Sequence, residues 1–190
     1  MGGKQIAALC EAGNSVLAIV DVQSRLTAAM PAKVLARLQR NVTMLLKGAA
    51  LLRIPVFASE QYPQGLGPLE PDVLRLLPEN SRRYAKTSFS LAADPGFLRD
   101  LQGSGRRQVI LAGMEAHVCI LQTALELEGA GYAVFVVADA VCSRHRENYE
   151  IALARLRRTG VVVCDAESVL FEWLRDARHE HFKALQVLIR

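Results

Sequence analysis

VILAGMEAHVCILQTALELEGAGYAVFVVADA, residues 109–140, reads as a strand, a sharp joint, a helix and a second strand. The opening VILAGM is apolar without interruption, helical spacing begins after Cys119, and AVFVVADA returns to a continuous apolar run. Strands of this kind are covered on both faces, and a helix between two of them makes a parallel crossover unit. A thiol, Cys119, stands at the joint where strand gives way to helix.

The same alternation extends in both directions. VLAIVDV (16–22), IPVFAS (54–59), QVILAGM (108–114), AVFVVADA (133–140) and GVVVCDA (160–166) are the expected strands. Helical patterns occupy 33–52, 119–129 and 148–158, and the tail 167–190 reads as one or two amphipathic helices. This predicts an α/β fold: a doubly wound, mostly parallel sheet with helices on both faces. With 190 residues, half of them apolar, and no linker or internal repeat, one domain over 1–190 is expected.

Composition narrows the function. The net charge of +4 is spread over scattered pairs such as Arg82-Arg83, Arg106-Arg107 and Arg157-Arg158, without a basic stripe or interleaved aromatics. No nucleic-acid partner is expected from that pattern. The four cysteines show neither CxxC nor metal-ligand spacing, which suits a reduced, cytoplasmic protein. No leader or membrane span is read, Ile6 occupies the place where a myristoylation signal wants Ser or Thr, and only the first few residues are expected to be disordered. GSGRRQ (103–108) precedes a strand, the reverse of a dinucleotide fingerprint, and reads as a helix end and turn.

In open parallel sheets, ligands bind beyond the carboxyl ends of the strands. Asp21, Glu60, the 115–119 segment, Asp139 and Asp165 all stand at those ends, as site residues or as caps of the following helices. At a helix start, free amides and the dipole favour a thiolate at Cys119 and can face an oxyanion. The alternative for any cysteine is a small buried hydrophobe, which suits Cys164 and Cys10. Asp21 places a carboxylate inside an apolar run, where it needs a partner, a raised pKa or a capping role. Lys86, after a short extended stretch, is a candidate partner. His117, two residues before Cys119, is an alternative base, although so near a neighbour in a tight loop usually points elsewhere.

The ordered set Asp21 in VDVQ, Lys86 in KTSFS and Cys119 in GMEAHVCI resembles the isochorismatase-like cysteine hydrolase superfamily. VVADAVCSRH and ASEQYPQGLGPL extend the resemblance over residues 17–173, closest to isochorismatase-domain proteins of unassigned substrate. The resemblance implies a Rossmann-like three-layer fold and an Asp21–Lys86–Cys119 triad. Cysteine attacks a carbonyl carbon, aspartate takes the thiol proton, and lysine holds aspartate and substrate. It further implies a cis peptide at Met114-Glu115 and an oxyanion hole from the backbone N–H groups of Glu115 and Cys119. The expected reaction is hydrolysis of a small amide or carbamoyl C–N bond through a thioester. Leu26, Tyr62, Phe89 and His117 are the expected pocket lining, and a homo-oligomer (dimer or higher) is implied.

Three departures qualify the carry-over. The metal-binding nicotinamidases have Asp-x-His after the second strand, but SEQYP lacks the histidine, so neither metal nor cofactor is expected. True isochorismatases act on a vinyl ether and often lack the cysteine, so Cys119 points to the thiol-using branch. Leu26 stands where an aromatic residue is common. Two rivals remain open: a redox-sensing thiol protein with Cys142 as resolving cysteine, and a non-catalytic interaction protein retaining the fold.

Overall fold

In the computed structural model, which describes residues 9–189, six strands form one sheet. They are β1 (Ser15–Val20), β2 (Val56–Gln61), β3 (Arg82–Lys86), β4 (Gln108–Met114), β5 (Ala133–Cys142) and β6 (Val162–Cys164). The order is β3-β2-β1-β4-β5-β6, with every pairing parallel. The N-terminal readings, the one at Ile6 included, lie outside the described residues.

Alternation along the strands sends side chains into two cores. Leu17, Ile19, Ile110 and Ala112 pack with the helices Ala32–Leu51 and Ala166–Leu174. Val16, Ala18, Val109 and Leu111 pack with Pro95–Gly103, Leu121–Gly129 and Arg146–Leu156. The result is a three-layer α/β/α arrangement, as the resemblance implies. Leu38, Val42, Leu45, Leu46 and Ala49 recur every three or four residues along Ala32–Leu51 and form its buried stripe. Each fully buried large aliphatic chain there contributes about 1.5–3 kcal/mol.

β3 is the strand the hydrophobic pattern misses. In RRYAK only Tyr84 and Lys86 are buried, as befits an edge strand, and Tyr84 is held edge-to-face against Phe57 and Phe97. The helix Pro95–Gly103, also unread, starts from Asp94, whose carboxylate accepts the Phe97 N–H at 2.9 Å. It ends just before Gly105, so GSGRRQ is the expected helix end and turn.

Two carboxylates at the sheet's edge turn out to anchor structure. Asp139 accepts the Ala166 N–H at 2.9 Å, and Asp165 caps the helix that begins there through the Ser168 N–H at 2.8 Å. The tail forms two helices, Ala166–Leu174 and Phe182–Gln186, the second anchored by buried Leu185. Among the described residues, no helix is long and apolar enough to cross a membrane.

The chain steps outward from β1 through β2 to β3, then returns to β4 on the other side of β1 and steps outward to β6. The reversal between β1 and β4 opens a crevice at their carboxyl ends. Asp21 follows one of these strands and Glu115 to Cys119 follow the other.

Candidate active site

β1 stops at Val20, and Asp21 adopts a left-handed backbone with φ 53°. Aspartate tolerates this better than most residues. The Asp21 N–H bonds to the Ser59 carbonyl at 3.1 Å, so the carboxylate is aimed from the strand end into the crevice. Ser59, beside Val20 in the β1–β2 register, donates its hydroxyl to Asp21 Oδ1 at 2.7 Å. Lys86 Nζ reaches Oδ2, also at 2.7 Å. Both charged side chains are sealed from water.

Lys86 is surrounded. Besides Asp21, its ammonium meets Gln61 Oε1 at 2.7 Å, the Phe89 carbonyl at 3.0 Å and the Ser88 carbonyl at 3.3 Å. Three protons thus face four acceptors, which leaves the ammonium fully occupied.

Cys119 lies in a single wide turn, Ala116–Ile120, ahead of the helix proper. The Met114-Glu115 bond that leads into it is cis. The thiol is buried beside the Asp21 carboxylate, the Lys86 ammonium and the Glu115 backbone. Gly113, one residue before this joint, has φ +124°, and a β-carbon there would sit 2.0 Å from the Val20 carbonyl oxygen. The close approach of β4 to β1 therefore requires glycine.

The expected thiolate is corrected by this environment. Burial, and then the adjacent Asp21 charge, push the Cys119 thiol up to about 12, against the downward pull of Lys86. The amides of Val118 and Ile120 are already bonded to the Glu115 carbonyl, at 3.1 and 3.2 Å. Few free donors of a helix start remain to favour the anion, so the resting group is a thiol poised on a carboxylate.

A family model for the isochorismatase domain matches residues 15–168. The chain belongs to the isochorismatase family. Isochorismatase domain-containing protein 2 of Homo sapiens is 38% identical over 182 residues, covering 94% of this chain and 84% of that protein. Among solved structures, MAR1 ribonuclease from Caenorhabditis elegans has a TM-score of 0.90 at 32% identity, covering 96% of this chain and 92% of that one. The Escherichia coli YcaC gene product, described as an octameric hydrolase of unknown specificity, has a TM-score of 0.88 at 23% identity, covering 96% and 89%. The fold and superfamily expected from the sequence are therefore those of an isochorismatase-like hydrolase.

The other expected residues of this isochorismatase-family chain take varied places. Tyr62 and Phe89 stand half-exposed, 53% and 54%, on the loops that follow β2 and β3. Tyr62 has a left-handed backbone, and its ring lies where a β-carbon on Gly65 would be. Leu26 packs onto the core shared with Ala32–Leu51. His117 turns to Ser143 Oγ at 2.9 Å and Asn148 Nδ2 at 3.4 Å, so both ring nitrogens are engaged away from the thiol. Glu115 keeps its carboxylate on the Arg144 N–H at 3.1 Å.

Glu60 accepts the Leu69 N–H at 2.9 Å and so ties down its own loop. Among the described residues, no group of three or more His, Cys, Asp or Glu is placed to hold a metal. The cleft of about 380 Å³ lined by Val34, Arg37, Cys142, Arg144 and Tyr149 has none of the three triad residues in its wall. Cys142 packs in one core and Cys119 in the other, across the sheet, which leaves the nucleophile candidate without the resolving cysteine that a redox role needs.

Sequence reasoning missed Ser59, Gln61 and Gln23. All three are buried polar residues at the carboxyl ends of β1 and β2. The available signal was a polar residue closing an apolar strand, the same signal that singled out Asp21.

Proposed function

We propose that this chain is a cysteine hydrolase that cleaves the C–N bond of a small amide or carbamoyl compound through a thioester on Cys119. The observation that carries this reading is a buried thiol beside a buried carboxylate that is itself paired with a buried ammonium. A structural role for such a trio is poorly motivated, because apolar residues of the same volume would be as stable.

The chemistry follows from this juxtaposition. Cys119 sulfur attacks the carbonyl carbon while its proton passes to Asp21 Oδ, and the carbonyl oxygen gains charge before the Glu115 and Cys119 N–H groups. Collapse expels the amine, which takes the proton back from Asp21. Water then attacks the thioester as Asp21 accepts its proton, and the acid leaves as the thiol is restored. Because the resting thiol is neutral, Asp21 acts in the attack itself, a contribution of about 10²–10⁴ in rate for a positioned base. Lys86, with its protons committed, holds the Asp21 carboxylate in place. Leu26, Tyr62, Phe89 and His117 are the proposed walls.

The name of the Caenorhabditis elegans relative raises RNA cleavage as a second chemistry. A phosphodiester site needs cationic donors free to face phosphate, and the buried Lys86 ammonium is already ringed by acceptors. The carbonyl reading therefore fits better. Self-association like that of the Escherichia coli relative is proposed too, to be read by light scattering on a sizing column.

The test is a screen of nicotinamide-like, carbamoyl and ureido compounds for amine release. Turnover should vanish in Cys119→Ala, and an acyl mass should be trapped on the Cys119 peptide. An adduct on another residue, or turnover retained in Cys119→Ala, would end the proposal.

A further inference from the structure

Gln61 is held more tightly than a passive neighbour of the lysine needs to be. In the β2–β3 register it lies opposite Lys86, and its Oε1 accepts a Lys86 proton at 2.7 Å. Its Nε2 donates to the Thr87 carbonyl at 2.7 Å. Exchanging O and N would set an amide NH₂ against the ammonium and an oxygen against a carbonyl, so only one orientation satisfies both contacts.

The backbone of Gln61 is clamped as well. Gln23, fully buried two residues after Asp21, takes the Gln61 N–H on its Oε1 at 2.7 Å. Its Nε2 donates to the Gln61 carbonyl at 3.0 Å and to the Gly67 carbonyl at 2.6 Å. The side chain of Gln23 thus pairs with Gln61 as a further strand would.

Charge explains why an amide stands there. The charged groups acting on Cys119 are Asp21 and Lys86. Other carboxylates nearby are turned elsewhere, Glu60 to the Leu69 N–H and Glu115 to Arg144. Asp21 and Lys86 together are neutral. A second carboxylate at Gln61 would compete with Asp21 for the ammonium and leave a net negative charge beside the thiol.

We propose that Gln61 is a positioning residue of the triad: its amide, oriented by Thr87 on a backbone held by Gln23, occupies one Lys86 proton without adding charge and leaves Asp21 the only carboxylate the lysine balances. This rests on the Asp21–Lys86–Cys119 reading, and the test separates the two.

The probe is iodoacetamide, with labelling of Cys119 in the full chain followed by peptide mass spectrometry at fixed pH on the alkaline side of neutral. Gln61→Glu should slow labelling about tenfold, the effect of one pKa unit from an added neighbouring charge. Gln61→Leu, which removes the amide without adding charge, should slow labelling by threefold or less. A purely structural role would make the leucine variant at least as slow as the glutamate one, because it loses both contacts of the amide. Folded Gln61→Glu protein labelling at the wild-type rate, or Gln61→Leu slowed as much as Gln61→Glu, overturns the role of Gln61 alone. Asp21→Asn labelling at the wild-type rate overturns the triad itself. If Gln61→Glu does not fold, Gln61→Leu and Lys86→Met are combined in a thermal-unfolding cycle. The fall in Tm from Gln61→Leu should at least halve once Lys86 is gone, and additive falls would overturn the proposal.

Discussion

Lys86 Nζ stands 2.7 Å from Asp21 Oδ2 with the two side chains 1% and 0% exposed, an ion pair closed off from water. Such a pair gains little net stability, because desolvating two charges offsets their attraction, but losing one partner strands the other. Lys86→Met should therefore destabilise the fold by about 3–5 kcal/mol. Adding Asp21→Asn should restore much of that loss. Urea unfolding of the single and double variants measures both, and a double variant less stable than Lys86→Met would contradict the pairing.

Alkaline pH should weaken the fold. Burial raises the thiols of Cys119, Cys142 and Cys164 from 9.0 to about 12, and Cys10 is raised as well. A thiol that stays protonated in the folded chain but ionises when unfolded stabilises the fold below pH 9 and loses that contribution as pH rises toward 12. Each such group costs up to about 1.4 kcal/mol per pH unit in that window. The Tm should be flat near neutrality and fall ever more steeply above pH 9. A Tm indifferent to pH up to about 11 would mean that the thiols are not buried as described.

That thiol behaviour was misjudged from sequence for a physical reason. The joint of strand and helix was legible, and β4 matches its reading to the residue, because continuous apolar runs report burial directly. Charge at a joint depends on what other strands bring to it. Asp21 and Lys86 meet Cys119 only through the β1–β2, β2–β3 and β1–β4 registers, and register over long separations leaves no local pattern. β3 was legible only as a short extended stretch before Lys86 for a related reason: as an edge it exposes Arg82 and Arg83 and buries alternate residues only. Ser59 and Gln61 take their partners through the same registers, so these polar residues could be noticed at the strand ends but their place beside the triad could not.

Gly113 offers a test of the crevice itself. A methyl group there would meet the Val20 carbonyl at 2.0 Å, and backbone cannot yield as a side chain can. Gly113→Ala should cost at least about 2 kcal/mol, through overpacking and an unfavourable positive φ. Any soluble fraction should also show disturbed chemistry at Cys119, since Asp21 follows Val20 directly. Chemical denaturation decides it, and wild-type stability would refute the close approach of β1 and β4.

The choice of base can be settled by comparing His117 with Asp21. His117 has one ring nitrogen 2.9 Å from Ser143 Oγ and the other 3.4 Å from Asn148 Nδ2. If the Asn148 amide donates, Nε2 is the acceptor, the proton sits on Nδ1 and Ser143 receives it; the ring then has no lone pair facing the sulfur. His117→Ala should accordingly keep turnover of an active amide within about tenfold, while Asp21→Asn, which removes a positioned base, should lose about 10²–10⁴. Asp21→Asn combined with Cys119→Ala should be little worse than Cys119→Ala alone, because a base without its nucleophile has no proton to take. Circular dichroism confirms that each variant folds before its rate is read. Near-normal turnover in folded Asp21→Asn, together with a large loss in His117→Ala, would move the base to the histidine. Multiplicative losses in the double variant would show the carboxylate and the thiol acting independently, against the proton transfer proposed between them.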